Sequence, residues 1–183
     1  QRFLGQSEPT YPGPLFDFLT RNVKQVMTAS RVGVCQALCD LIVGLTQGKE
    51  HIDIGTDTKN RLEKVFLYAL AWSVGGLLEH DGRVQFDAWM REQDVNKNMP
   101  ECGEHETIYE YWVDTSGTWT LWRPPVWHYP EGQEKLDFSN LLVPTMDSTR
   151  AGYNCFHMHK QRKAVCMVGG EGTAKTSTAL MFF

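Results

Sequence analysis

An apolar run of strand length, Ala164-Val165-Cys166-Met167-Val168, leads into Gly169-Gly170-Glu171-Gly172-Thr173-Ala174-Lys175-Thr176, and the residues beyond it turn amphipathic. Few local patterns restrict a fold so tightly. Strand, glycine loop, Lys-Thr and helix in that order make the phosphate-binding loop of an α/β unit. The pattern requires Gly, four residues, then Gly-Lys-Ser/Thr. Gly169 takes the first position and Lys175-Thr176 the last two, with Ala174 where the second glycine is usual. Successive backbone N–H groups turned inward form a concave anion site, and small residues let a phosphate come close to them. The helix that starts there adds unpaired N–H groups and its positive dipole end. Lys175 supplies a point charge at the β- and γ-phosphates, and the Thr176 hydroxyl is suited to Mg²⁺. Ala174 fits this scheme if its φ is negative. A ligand-free glycine turn is the simpler alternative, but the joint occurrence of strand, glycines, Lys-Thr and helix argues against it.

Phe183 falls about two helical turns after the loop. A P-loop ATPase also needs further core strands, an acidic residue that positions Mg²⁺ and a residue that orients water. The expectation is a piece of a longer chain, unable to hydrolyse ATP by itself. A chain of 183 residues has room for one domain or parts of two. Its net charge of −4 gives no reason to expect nucleic acid or an anionic membrane as a partner. No apolar run approaches the ~20 residues of a membrane span, and the N-terminus has neither Met nor the apolar core of a signal peptide. The five cysteines lack metal-like pairing. Cys35 and Cys39 share a helix face and read as small core residues, in keeping with a reducing interior.

Residues 1–14, rich in Pro and Gly, read as a connector. Helical spacing begins with Leu15, Phe18, Leu19, Val23, Val26 and Met27. Ser30 is the expected N-cap of a second helix with an apolar face of Val34, Leu38, Leu41, Ile42 and Leu45, stopped near Gly48. A third helix, apolar nearly all round from Val65 to Leu78, should be the buried centre of this half, with Asp81-Gly82 breaking it. A short fourth helix carries Phe86, Trp89 and Met90, and these aromatics, with Trp72, read as core. The polar stretch 96–103 suits a domain boundary. Thr107–Val113 alternates as a strand, Asp114–Gly117 is turn chemistry and Thr118–Trp122 returns, an aromatic hairpin whose rings pack across strands. Pro124, Pro125 and Pro130 hold an extended connection, after which Phe138 and Leu141 to Val143 lead to Pro144. Thr145 then caps a helix running to about His159. His157 and His159, two apart on that helix, read as surface or capping residues rather than metal ligands.

These residues together carry a resemblance. The helix Leu-Tyr-Ala-Leu-Ala-Trp-Ser-Val-Gly-Gly-Leu-Leu-Glu (67–79) is followed by Phe86-Asp87-Ala88-Trp89. Then come Tyr109-Glu110-Tyr111-Trp112-Val113-Asp114 with Trp119 and Trp122, Leu142-Val143-Pro144-Thr145-Met146-Asp147-Ser148-Thr149-Arg150, and the loop. Over nearly its whole length the chain resembles a dynein heavy chain where the second AAA+ module of the motor ring passes into the third. The Gly-Thr-Ala-Lys-Thr form of the loop looks more like an axonemal than a cytoplasmic dynein. The resemblance implies an incomplete α/β P-loop AAA+ fold. Residues 1–100 would be the helical small subdomain closing one module. Residues 101–183 would be the N-terminal part of the next large subdomain, with its aromatic β-hairpin. It implies ATP or ADP with Mg²⁺ at Gly169, Gly170, Glu171, Gly172, Thr173, Ala174, Lys175 and Thr176, with Thr176 on the metal and Val143 and Pro144 against the adenine. Implied partners are the neighbouring AAA+ modules of the same chain, and microtubules and other dynein chains through parts outside this sequence. The implied role is an ATP-driven, minus-end-directed microtubule motor moving cilia, in the cytoskeleton and the axoneme. Two other readings stand beside it: a regulatory module that binds nucleotide without turnover, and a non-motor AAA+ remodelling ATPase.

Overall fold

The computed structural model describes residues 13–48, 50–55, 57–94, 97–128 and 141–182. Most of the connector expected at 1–14, and Pro130 and Phe138 of the later connection, lie outside them. The chain forms two compact units, one ending at Leu121 and the other beginning at Trp122.

The first unit is built on four helices. Helix α1 spans Pro14–Arg21, with Pro14 at its first position, where a missing N–H is harmless. It buries Leu15, Phe18 and Leu19. The helical spacing predicted through Met27 stops early. The N–H of Val26 donates to Leu77 O at 2.8 Å, and Gln25 bridges Leu78. This tertiary pairing draws the segment out of the helix and leaves Val26 and Met27 exposed. Helix α2, Arg31–Thr46, begins at Ser30, whose hydroxyl accepts from the Gly33 N–H at 3.1 Å. Its face of Val34, Leu38, Leu41 and Leu45 is buried. Cys35 and Cys39 sit beside that face rather than in the core: Cys35 is half-buried and Cys39 exposed.

Helix α3, Thr58–Gly75, is the centre of the unit, with Val65, Leu67 to Ala71 and Val74 all buried. It ends at Gly75-Gly76 rather than at Asp81-Gly82. Two successive glycines weaken the helix, and the Arg83 Nε donates to Gly75 O at 3.0 Å, satisfying an end carbonyl. Asp81 and Gly82 instead lie in the first turn of α4, His80–Gln93. There the Asp81 carboxylate faces the positive end of the helix dipole. Phe18, Phe86 and Trp89 form an aromatic cluster, with Trp89 stacked on both at centroid distances of 5.1 and 5.7 Å.

Helix α4 also fastens the segment that follows. Asp87, 6% exposed, accepts from the Ile108 N–H at 2.7 Å and pairs with Arg91 at 2.7 Å. Arg91 donates onward to Pro100 O at 3.0 Å and to the Cys102 sulfur at 2.8 Å. Burial pushes the Cys102 thiol up, partly offset by the adjacent guanidinium. The strand expected from Thr107 starts late for the same reason. Asp87 holds the Ile108 N–H while Thr107 and Glu110 form a capping box, so Ile108–Glu110 is a 3₁₀ turn. The hairpin is β1, Tyr111–Val113, antiparallel to β2, Trp119–Leu121, with Trp112 opposite Thr120. Its turn is held by the Asp114 carboxylate, which accepts from the Ser116 and Thr118 N–H groups. Gly117 takes φ 79°. The Trp119 indole donates to Asn98 O at 2.6 Å, so this ring is a packing element. The turn rests on the α2–α3 connection: the Asp53 N–H donates to Thr115 O at 2.9 Å and Lys64 Nζ to Gly117 O at 3.3 Å. The hairpin therefore belongs to the helical unit, and the division falls after Leu121 rather than near residue 100.

The second unit holds α5, Met146–Lys160, and α6, Lys175–Phe182. Thr145 caps α5 as its sequence predicts, with a reciprocal Ser148 interaction: the Ser148 N–H donates to Thr145 Oγ1 at 3.2 Å. Trp122 meets Tyr153 edge-on at 5.3 Å. Tyr153 in turn packs on His157 at 4.4 Å. His157 is 1% exposed, so the surface reading holds only for His159. The helix does splay the two, and its inner face takes His157 as a packed ring. Residues 164–168, expected as a strand, join no ladder and lie exposed apart from half-buried Met167. Among the described residues the sheet consists of β1 and β2 alone, so the α/β sheet that the loop implies has no second strand here to define it.

Candidate functional site

The glycine loop leaves the exposed stretch 164–168 and turns directly into α6. Gly172 and Ala174 both have positive φ, 71° and 54°. The negative φ expected for Ala174 is therefore corrected. The physical cause is its position. The Thr178 N–H donates to Ala174 O at 2.9 Å, so Ala174 is the capping residue where the loop bends into the helix axis. That bend uses the left-handed region that a glycine enters freely and an alanine does not.

The side chains converge as the motif requires. Lys175 Nζ lies 3.0 Å from Gly169 O, 2.5 Å from Gly170 O and 3.1 Å from Thr173 Oγ1, which puts the ammonium over the concave side of the loop. The Thr173 hydroxyl donates to Gly170 O at 2.9 Å. A Cβ added at Gly169 would stand 2.8 Å from Thr173 Oγ1, so the first glycine is a place of close approach. At Gly170 and Gly172 an added Cβ would meet nothing within 4 Å, so the outer backbone is open to a ligand. Glu171 and Thr176 are exposed.

The donor set fits a nucleotide phosphate: open backbone, a helix start, one fixed ammonium and one hydroxyl next to it. Among the described residues no group of His, Cys, Asp and Glu is placed to hold a metal by itself. A Mg²⁺ here would rest on Thr176 and on the phosphates, as this ion commonly does.

Beside the loop, α5 and α6 enclose an open groove of about 370 Å³. Its apolar walls are Pro144, Phe156, Met181 and Phe182, with the hydroxyls of Ser148 and Thr178 facing each other across it. Small-molecule sites commonly start near this size. Pro144 lines the groove as the resemblance implied, whereas Val143 is 45% exposed and outside the lining. Sequence reasoning missed Phe156, Thr178 and Met181. The available signal was spacing: Ser148, Gly152 and Phe156 recur every four residues on α5, as Thr178 and Phe182 do on α6.

Comparison with known proteins gives two adjoining matches. The dynein heavy chain AAA lid domain family matches residues 8–124, and the P-loop containing dynein motor region family matches residues 130–183. Among individual relatives, the chain is 36% identical to the dynein gamma chain of the flagellar outer arm of Chlamydomonas reinhardtii over 94% of its length. It is 34% identical to dynein axonemal heavy chain 8 of Homo sapiens over 75%, and 30% identical to dynein axonemal heavy chain 5 of Mus musculus over 91%. It spans only 4%, 3% and 4% of the lengths of these relatives. The lid match covers the helical unit and its hairpin, the motor-region match covers the glycine loop, and the chain belongs to the dynein heavy chain family.

Proposed function

We propose that Gly169 to Thr176 is the phosphate loop of a nucleotide-binding AAA+ module, and that the parent chain is an ATP-driven microtubule motor of cilia or flagella. The observation that carries this reading is the convergence of Lys175 Nζ on the loop beside two glycines open to a ligand. In it, the loop N–H groups and the start of α6 hold the phosphates, and Lys175 neutralises their charge. Thr176 shares a Mg²⁺, which supplies charge compensation when bound. The base enters the groove against Pro144 and Phe156, with Val143 at its outer edge. Residues 1–100 act as the lid of one module, and 101–183 open the next large subdomain. The axonemal names of the relatives support the ciliary location. Neighbouring modules of the same chain, other dynein chains and microtubules are the partners this role requires. Binding without turnover remains a second reading, favoured by the alanine at position 174 in place of glycine.

The test is Lys175→Ala in the intact protein, read by azido-ADP photolabelling mapped to the peptide of this site. Loss of a charge-assisted contact, worth roughly 1.5–3 kcal/mol, should weaken labelling by about 10- to 150-fold. Unchanged labelling would overturn the assignment of the loop.

A further inference from the structure

We propose that Ala174 is a positioning residue that holds down the nucleotide affinity of this site; the inference rests on reading the loop as a phosphate site. Three observations converge on it. Its φ of 54° lies in the left-handed region, where an L-residue with a Cβ is disfavoured. It occupies the capping position of α6, where alanine is among the poorest choices and glycine a good one. It is exposed, so its methyl gains no packing that would offset the strain.

Strain alters affinity only if it differs between the free and the bound loop. The loop segment has the means to differ. Residues 164–168 join no ladder, residues 168–174 are all exposed, and Gly170 and Gly172 have open space around them. The free loop therefore has other conformations to visit. A bound phosphate needs the curved one, in which residue 174 is left-handed and the first N–H groups of α6 converge. Each visit to that shape carries the cost of the alanine, and apparent affinity falls by the fraction of time the competent loop is present. Lys175 follows Ala174 directly, so the same backbone setting also aims its ammonium. Ala174 touches no ligand atom in this account; it acts through the loop and through Lys175.

The sign of the effect follows. Ala174→Gly removes the Cβ penalty and improves the cap, while glycine's own backbone freedom returns part of the gain. The net expectation is about 5-fold tighter binding. Ala174→Val, β-branched and more strongly excluded from positive φ, should weaken binding by about 10-fold or more. A structural role alone would shift thermal stability in step with all ligands. The readout is therefore the ratio of ADP to AMP affinity, which should rise in the glycine variant and fall in the valine variant, because AMP makes less use of the loop.

The experiment measures azido-ADP photolabelling of the loop-bearing peptide in the intact protein, with ADP and AMP as competitors, for wild type, Ala174→Gly, Ala174→Val and Lys175→Ala. The expected order of ADP affinity is glycine above wild type above valine, with melting temperature unchanged. If both Ala174 variants match wild type while Lys175→Ala weakens labelling, the inference is wrong and the loop reading stands. If Lys175→Ala also leaves labelling unchanged, both fall.

Discussion

Gly75→Ala should destabilise the helical unit, against what helix propensity alone would suggest. A Cβ at this position would stand 1.7 Å from Tyr109 Oη and 2.6 Å from its Cζ. Tyr109 has little room to yield. Its ring is 3% exposed, its hydroxyl donates to Ala71 O at 3.3 Å, Trp72 packs edge-on at 5.6 Å, and the Arg83 guanidinium lies 5.4 Å from its centroid. Burial also pushes the Tyr109 hydroxyl far above its ordinary pKa, so it stays a neutral donor. Overpacking of such a site costs about 1–3 kcal/mol. Replacing glycine by alanine in a helix returns at most about 1 kcal/mol, and less in the last turn. The expected net loss is roughly 1–2 kcal/mol, measured by urea unfolding of the chain with tryptophan fluorescence as the signal. Tyr109→Phe removes the nearest atom and forfeits one hydrogen bond, about 1 kcal/mol. In that background Gly75→Ala should cost visibly less, a coupling of at least about 0.5 kcal/mol in the double-mutant cycle. Additive effects, or a stabilised single mutant, would refute the steric argument.

Two further outcomes follow from the same unit. Asp87→Ala leaves the Arg91 guanidinium and the Ile108 N–H without their shared acceptor; with Arg91 partly solvated, the loss should be about 2–3 kcal/mol in the same urea assay, and a change under about 1 kcal/mol would show that water replaces the carboxylate. Partial burial would raise the Asp114 carboxyl, but hydrogen bonds from Ser116, Thr118 and Thr120 outweigh it and hold the group below its ordinary value. The Tyr111 hydroxyl and the Gly103 N–H do the same for Glu106. A depressed folded-state carboxyl contributes stability that is fully present above its unfolded pKa, about 4, and is lost as pH falls through the lower folded value. Stability should therefore decline below about pH 4, and Asp114→Asn should flatten that limb; an unchanged acid limb would remove the turn from the explanation.

Signals that act within a few residues were legible in the sequence. Ser30 and Thr145 cap α2 and α5 as their side-chain chemistry dictates, and the four-residue spacing of Val34, Leu38, Leu41 and Leu45 marks a buried face. What was not legible depends on distant groups. The segment through Met27 has helical spacing, but Leu77 and Leu78 take its backbone. Thr107 to Glu110 alternates like a strand, but Asp87, 21 residues earlier than Ile108, holds the backbone in a turn. His157 turned inward because Tyr153 lies one turn before it and can receive its ring. At the site, the motif named Lys175 and Thr176 correctly as neighbours of the loop, but no pattern of residue types gives the sign of φ at Ala174. That sign is set by the angle at which the loop joins α6.

The seat of Tyr109 bears on how this region can be cut. A recombinant lid ended near residue 100 would keep all four helices yet lose the plug that fills the space over Gly75. The surface left behind would be Ala71, Trp72 and Gly75, an apolar notch without its occupant, and a sticky one in water. It would also strip Asp87 of the backbone N–H that it now holds from Ile108. The smallest piece with a closed surface runs on through the hairpin to Leu121, so an interval that looks like the start of the next module serves as the stopper of the one before it.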